Sequence, residues 1–288
     1  MAVGSDSGSF GSALRVSVIV CTLGRSPWLS QLLQDVTSCL RECDEAILVL
    51  SGPGIPWGPY NGRIQVIPVE ATGLSTARNS AIDSACGDVL VFFDDDVTIE
   101  NGCLAAFRGA FTNPAIGYAG GPIAVDMPLP SWVVGAGLAW MYGYLDKGTH
   151  PRILAPDERV YGANMALRRE ALDGLRFRTD LGYVSTKRRG GGEDLELQMR
   201  LESTGWTGAY VANARVVHHV SARRNALAWQ ASRCFQEGAA LARQSSPREE
   251  ACWQMRSLWR TLAQGNARAA VCYAAAAFGA AVGSAVKQ

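Results

Sequence analysis

Val89-Leu90-Val91-Phe92-Phe93-Asp94-Asp95-Asp96 sets five apolar residues directly before three carboxylates. A run of that length is long enough for a strand buried on both faces and too short for a helix. A doubly buried strand belongs in a parallel sheet covered by helices, so the stretch points to an α/β fold. The flanking sequence agrees. Upstream, residues 16–21 form a second β-branched run, followed by Trp28, Leu29, Leu32, Leu33, Val36 and Leu40 at helical spacing, with Pro27 in the first turn. Residues 46–50 make another buried strand, stopped by Ser51-Gly52-Pro53-Gly54, which completes a β-α-β unit. A short strand at 64–67 and a helix at 74–86 then lead into the quoted run.

Downstream, the pattern predicts a helix over 99–111, strands over 116–125 and 161–167, a helix over 193–203 and a strand over 209–217. Between them, Pro128, Pro130, Gly135, Gly137, Gly143 and Gly148 punctuate a stretch rich in Trp132, Trp140, Tyr142 and Tyr144. Those aromatics fit either the wall of an acceptor pocket or packing over a sheet. From Asn225 onward everything reads as helix. The expected architecture is an open, mostly parallel α/β sheet flanked by helices, with a C-terminal helical extension. Its parts are a loose tail at 1–14, the sheet domain at 15–222 and a helical segment at 223–288.

Bulk properties narrow the function. A hydrophobic content of 48% with 18% charged residues describes a folded globular chain. The formal net charge of +1 supplies no global field for nucleic acid, so electrostatic function must come from local clusters. None of the eight cysteines falls in a C-x-x-C pair, which favours buried thiols in a reducing compartment over zinc or disulfides. Residues 1–14 are Ser/Gly-rich and lack the basic and apolar regions of a signal peptide, so a cytoplasmic location is expected. Residues 269–286 are uncharged and rich in Ala and Gly. They read first as a helix packed on the domain, then as peripheral contact with the inner membrane face, and last as a membrane span.

The chemistry-bearing residues fall into four groups. Ligands of open α/β sheets bind outside the carboxyl ends of the strands, where Asp94, Asp95 and Asp96 sit. Adjacent carboxylates repel and are costly to desolvate without a cation, and hard oxygens suit Mg²⁺ or Mn²⁺. On an extended chain Asp94 and Asp96 would point one way and Asp95 the other. A solvated acidic turn is the competing reading. Gly73-Leu74-Ser75-Thr76-Ala77-Arg78-Asn79 opens the preceding helix as an anion site, with Arg78 able to reach a nucleotide or its phosphates. Gly190-Gly191-Gly192-Glu193-Asp194 opens a later helix, where an ionised carboxylate could serve as general base or simply cap the helix. His218-His219 follow a strand and point to opposite sides, so at most one reaches a given metal.

In order and spacing these motifs resemble family 2 glycosyltransferases, an inverting family with the GT-A fold. The residues that carry the resemblance are Val18 to Thr22 with Arg25; Gly73 to Asn79; Gly87-Asp88 and Asp94-Asp95-Asp96; Gly162-Ala163-Asn164-Met165-Ala166-Leu167-Arg168-Arg169; and Gly192-Glu193-Asp194 with Arg200-Leu201 and Gly205-Trp206. The likeness spans residues 15–220. It implies a metal-dependent transfer of a sugar from a nucleotide-diphosphate donor to an acceptor hydroxyl. By that resemblance Asp96 ligates the metal and Asp94 lies nearer the ribose. Thr22, Arg25, Arg78 and Asp95 join Asp94 around the nucleotide, Asp194 is the catalytic base, and Glu193 helps position the acceptor. His218 matches a histidine that contacts metal or diphosphate in some members. Residues 218–238 are similar to the tail of bacterial members that act near the inner membrane face.

One departure is plain. The second strand of the family usually ends in an acidic residue near the base, whereas here it ends Ser51-Gly52-Pro53, which leaves the nucleotide open. Lys187-Arg188-Arg189 could grip an anionic acceptor or the diphosphate, or be solvated loop charge. Two other functions compete with sugar transfer. A nucleotidyltransferase would need a Gly-rich basic loop after the first strand, which Cys21-Thr22-Leu23-Gly24-Arg25 scarcely supplies. A non-catalytic sugar- or nucleotide-binding module would not need both Asp94-Asp95-Asp96 and Asp194.

Overall fold

The apolar run before the three aspartates lies at the middle of the molecule. The computed structural model describes residues 14–52, 62–71, 73–156, 158–182, 191–244 and 247–285, without the side chains of 243–253 and 284–285. The expected tail up to Ala13, Pro53-Gly54, Lys187-Arg188-Arg189-Gly190 and Val286 lie outside the described residues.

The elements run β1 (Val16–Thr22), α1 (Leu29–Cys39), β2 (Glu45–Ser51), β3 (Ile64–Val69), α2 (Leu74–Ser84) and β4 (Val89–Asp94). There follow β5 (Val97–Ile99), α3 (Cys103–Ala110), β6 (Ile116–Gly120), β7 (Ile123–Val125), α4 (Ser131–Gly135) and the two-residue β8 (Arg152–Ile153). The chain continues through β9 (Asn164–Arg168), α5 (Arg169–Leu172), α6 (Glu193–Ser203), β10 (Thr207–Tyr210) and β11 (Val216–His218). It closes with α7 (Leu227–Gln244), α8 (Pro247–Ala263) and α9 (Ala267–Ala285).

Eight strands form one sheet in the order β3-β2-β1-β4-β9-β6-β10-β8. β3, β2, β1 and β4 are mutually parallel, as the β-α-β reading requires. β9 enters antiparallel between β4 and β6. In β4 every residue before Asp94 is buried, which is the doubly covered strand expected of a both-face apolar run. Register then decides where the polar ends meet. Cys21 pairs with Asp94 across β1 and β4, and Phe93 pairs with Asn164 across β4 and β9. Because β9 is reversed, its entry loop at Gly162-Ala163 lies beside the carboxyl ends of β1 and β4.

Three sequence expectations are corrected. Residues 99–111 are not one helix: Ile99 closes β5, Asn101-Gly102 makes the turn, and the helix begins at Cys103. The β-branched run Val97-Thr98-Ile99 favours a strand over a helical start. Residues 116–125 divide into β6 and β7 around Gly120-Gly121-Pro122, since proline has no N–H to continue a ladder. Residues 209–217 likewise divide into β10 and β11. The detached pieces form a second sheet, β5-β11-β7, which the sequence reading did not foresee.

Residues 129–142 pack with the C-terminal helices. Val133, Leu138, Met141 and Tyr142 join Cys234, Cys272, Tyr273 and Ala276 in a cluster separate from the sheet core. The Ala/Gly composition of the last segment has a packing cause. A Cβ on Gly279 would fall 1.9 Å from the Phe235 carbonyl oxygen, and one on Gly238 would fall 2.0 Å from that of Ala276. α7 and α9 therefore touch backbone to backbone. Among the described residues, no helix is long and apolar enough to cross a membrane.

Two arginines of the β9 motif are scaffold. Arg168 donates to the carbonyls of Phe111, Asn113 and Ile116, and Arg169 to those of Ala85 and Gly87. Asp44 has a comparable role at the same end of the sheet, just before β2. Its side chain is fully buried, pairs with Arg108 at 2.8 Å, and accepts the N–H groups of Val16 and Arg41 at 2.9 Å each. Burial opposes its charge, but these bonds outweigh it and hold the carboxyl below its ordinary value. Removing one partner of such a pair costs about 3–5 kcal/mol, and Asp44→Ala is expected to lose that much in urea unfolding. Because the folded-state pKa is depressed, the contribution is present above about pH 4 and fades as pH falls further. An acid limb of the same steepness in Asp44→Ala would contradict this assignment.

Candidate active site

The carboxyl ends of β1, β2 and β4, the entry to β9, the start of α6 and the end of β11 surround one cleft of ≈1480 Å³. A single small-ligand pocket usually holds about 300–1,000 Å³, so the space suits two substrates side by side. Nine residues singled out from sequence line it: Thr22, Arg25, Arg78, Asp94, Asp95, Asp96, Glu193, Asp194 and His218.

Each aspartate has its own partner. Asp94 meets Arg78 at 3.3 Å. Asp95 accepts the Thr22 hydroxyl, which itself accepts the Gly24 N–H at 2.9 Å and so ties the β1 loop to the acidic turn. Asp96 Oδ1 lies 3.3 Å from His218 Nε2. Their environments push them apart electrostatically. Burial raises Asp95 to about 6, with Asp96 and Asp94 adding repulsion against the Thr22 bond. Burial also raises Asp94, against the pull of Arg78. For Asp96 burial is outweighed by His218 and Arg224, which hold its carboxyl below the usual range.

Arg78, on the first turns of α2, is 2% exposed and donates to Glu193 Oε1 at 2.8 Å as well as to Asp94. The Phe177 and Phe92 rings lie 5.4 and 6.0 Å from the guanidinium carbon. Gly162 covers it closely, since a Cβ there would stand 2.5 Å from an Arg78 nitrogen. One buried cation thus joins the end of β4 to the start of α6. Glu193 is spent on this pair, whereas Asp194 opens toward the cleft. Asp194 Oδ2 accepts the Gly162 N–H at 2.7 Å and Oδ1 the Leu195 N–H at 3.0 Å. Each of these oxygens keeps a further lone pair for another proton donor.

The two histidines diverge, as adjacent strand residues should. His218 Nδ1 stands 2.8 Å from the Tyr142 carbonyl oxygen. A carbonyl only accepts, so Nδ1 carries hydrogen, and Nε2 is the ring nitrogen turned to Asp96. His219 instead stacks on Trp28 at 3.6 Å and bonds Thr98 and Asp126. Sequence reasoning missed Asp126, Trp28 and Arg224. Arg224 lies 3.5 Å from His218 Nε2, in a 3-10 turn that no periodicity marks. At the helical end of the cleft, Arg233 lies over Trp140 at 5.2 Å and Arg224 over Trp229 at 5.5 Å. Of the aromatic stretch, Trp140 lines the cleft, whereas Tyr142 and Trp132 pack with the C-terminal helices.

Hard carboxylate oxygens and an imidazole nitrogen of fixed tautomer make Asp94, Asp96 and His218 a chemically suitable donor set for Mg²⁺ or Mn²⁺. Among the described residues, no three His, Cys, Asp or Glu side chains converge as a finished metal shell. A site of this kind is completed by substrate phosphates, as Mg²⁺ sites commonly are.

Burial and the neighbouring Asp194 charge raise Glu193 to about 7, despite Arg78. A folded-state pKa above the unfolded value gives stability that is present below about pH 4.3 and lost as pH rises through about 7. The stability of the wild type relative to Glu193→Gln is therefore expected to decline between pH 5 and 8, measured by thermal melting. A pH-independent difference would contradict the assignment.

Comparison with known proteins places this geometry. The model of the family described as Glycosyl transferase family 2 matches residues 17–176. The succinoglycan biosynthesis protein ExoM of Rhizobium meliloti (strain 1021) is 29% identical over 176 residues, covering 58% of this chain and 51% of that protein. The chain thus spans about half the length of this curated relative. Among solved structures, mannosyltransferase PcManGT from Pyrobaculum calidifontis, in complex with GDP-Man and Mn²⁺, aligns with a TM-score of 0.58 at 20% identity, over 94% of this chain and 76% of that one. GalNAc-T7 with UDP, GalNAc and Mn²⁺ aligns with a TM-score of 0.53 at 16% identity, over 73% of this chain and 44% of that one. At these identities the likeness is one of fold.

Proposed function

The chain belongs to glycosyl transferase family 2 and is a glycosyltransferase with the GT-A fold; from that premise we propose that it transfers a sugar, with inversion, from a nucleotide-diphosphate donor to an acceptor hydroxyl. Family membership removes the nucleotidyltransferase and non-catalytic alternatives. The observation that carries the reading is the Arg78 bridge. It brings the donor-side carboxylate Asp94 and the start of α6, with Asp194, to one point of one cleft.

In this reading residues 15–222 hold the donor and the reacting centre, and 223–288 close the acceptor end. The nucleotide lies at the carboxyl ends of β1 and β2, along Thr22 and Arg25. Ser51 stands where the nucleobase would meet β2, and its buried hydroxyl has no hydrogen-bond partner among the described residues. Asp94, Asp96 and His218 hold the diphosphate end together with a divalent cation. When bound, Mg²⁺ or Mn²⁺ supplies positive charge that offsets the charge developing on the leaving diphosphate. Solved relatives of this fold contain Mn²⁺ with UDP or GDP-Man, which supports this assignment.

Asp194 accepts the proton of the acceptor hydroxyl. The hydroxyl oxygen bonds to the anomeric carbon as the carbon–oxygen bond to the diphosphate breaks, and the electron pair leaves on the diphosphate. Attack and departure occur on opposite faces, so the anomeric configuration inverts. Arg78 and Glu193 act as positioning residues: Arg78 neutralises charge that would otherwise force Asp94 and Asp194 apart. The free thiols of the seven cysteines whose side chains are described support a reducing, cytoplasmic compartment.

Two measurements test the reading. A panel of nucleotide sugars with Mn²⁺, scored by release of nucleotide diphosphate, identifies the donor. With that donor, Asp194→Asn is expected to bind normally and lose about 10²–10⁴-fold in kcat. Wild-type turnover would remove Asp194 as base. Asp96→Ala is expected to lose Mn²⁺-stimulated donor binding, whereas equal affinity with and without chelator in the wild type would refute the metal assignment.

A further inference from the structure

The last two helices turn an unusual face to solvent. On α9, Ala267, Val271, Ala274, Phe278, Ala281 and Val282 are all exposed. Their spacing repeats at three and four residues, so they form one stripe along the helix, and every side chain in it is apolar. On α8, Met255, Trp259 and Leu262 form a second exposed stripe, flanked by exposed Arg256 and Arg260. Exposure reaches 67% at Trp259 and 65% at Phe278, the reverse of where core packing would leave such side chains. From residue 251 to the end, the chain has no aspartate or glutamate and carries Arg256, Arg260, Arg268 and Lys287.

We propose that the outer face of α8 and α9 docks on an anionic lipid bilayer, with Trp259 and Phe278 entering the interface and Arg256 and Arg260 meeting the headgroups. Apolar side chains flanked by Arg256 and Arg260, with tryptophan among them, suit a helix lying in the plane of such a surface. A second copy of the chain is the poorer partner. A symmetric contact would bring two such faces together, each with Arg256 and Arg260 beside its apolar stripe. The inner sides of the same helices supply Gln254, Tyr273 and Ala276 to the cleft wall. Docking would therefore put the helices that wall this end of the cleft on the bilayer.

Vesicle co-sedimentation of the full chain tests this without reference to sugar transfer. The protein is expected to sediment with vesicles of phosphatidylcholine mixed with phosphatidylglycerol, and much less with pure phosphatidylcholine. Binding should weaken by roughly tenfold or more in Trp259→Ser/Phe278→Ser. A similar loss, with a weaker response to salt, is expected for Arg256→Gln/Arg260→Gln. Both variants change exposed side chains, and thermal melting checks that they fold. Failure to bind anionic vesicles would overturn the proposal, as would unchanged binding by the Trp259/Phe278 variant. A concentration-dependent dimer that this variant abolishes, without vesicle binding by the wild type, would also overturn it and assign the face to a second copy.

Discussion

A single buried guanidinium is the constraint from which the rest of the site follows. Arg78 is held between Asp94 and Glu193, residues from opposite ends of the sheet domain's sequence. A buried cation must be paired, and buried carboxylates need the same cation. The end of β4 and the start of α6 are therefore locked together by electrostatics that neither could satisfy alone. The Phe92 and Phe177 rings and the Gly162 peptide enclose the guanidinium, so apolar packing enforces the geometry that charge requires.

Around that lock the acidic turn is differentiated. Three adjacent aspartates in water would be nearly equivalent, but here they face an arginine, a threonine hydroxyl and a histidine. Asp96 is held as an anion while Asp95 is pushed toward its protonated form. The orientation of His218 is set from behind by the Tyr142 carbonyl, in the irregular stretch between the two proline residues' helix and β8. That contact makes the aromatic region part of the electrostatics of the cleft as well as its wall.

Much of this was legible in sequence because it depends on local pattern. The buried run before Asp94, the β-α-β order and the helix opened by Glu193 are read from hydrophobic period and strand length, and all stand in the structure. Long-range partners were not legible. Nothing local to Arg78 says that it turns inward to two carboxylates rather than outward to solvent. The split of residues 116–125 was announced only by Gly120-Gly121-Pro122, and the second sheet by nothing, since its strands are three residues each and lie far apart in sequence. Arg224 and Asp126 belong to the same class: their relevance comes from tertiary placement of His218 and His219.

The backbone contact between α7 and α9 has a consequence for how this enzyme can change. Gly238 and Gly279 carry no chemistry, yet Tyr273 and Ala276, on the helix they seat, form part of the cleft. Any side chain added at the seam must pry the helices apart, and the bore of the acceptor end widens or distorts with them. The seam is thus a gauge for the width of that end of the cleft, set by positions outside its lining. Variation there would reshape that end of the cleft while leaving Asp94, Asp96 and Asp194 untouched, so the shape of the cleft and its carboxylates are free to change along separate tracks.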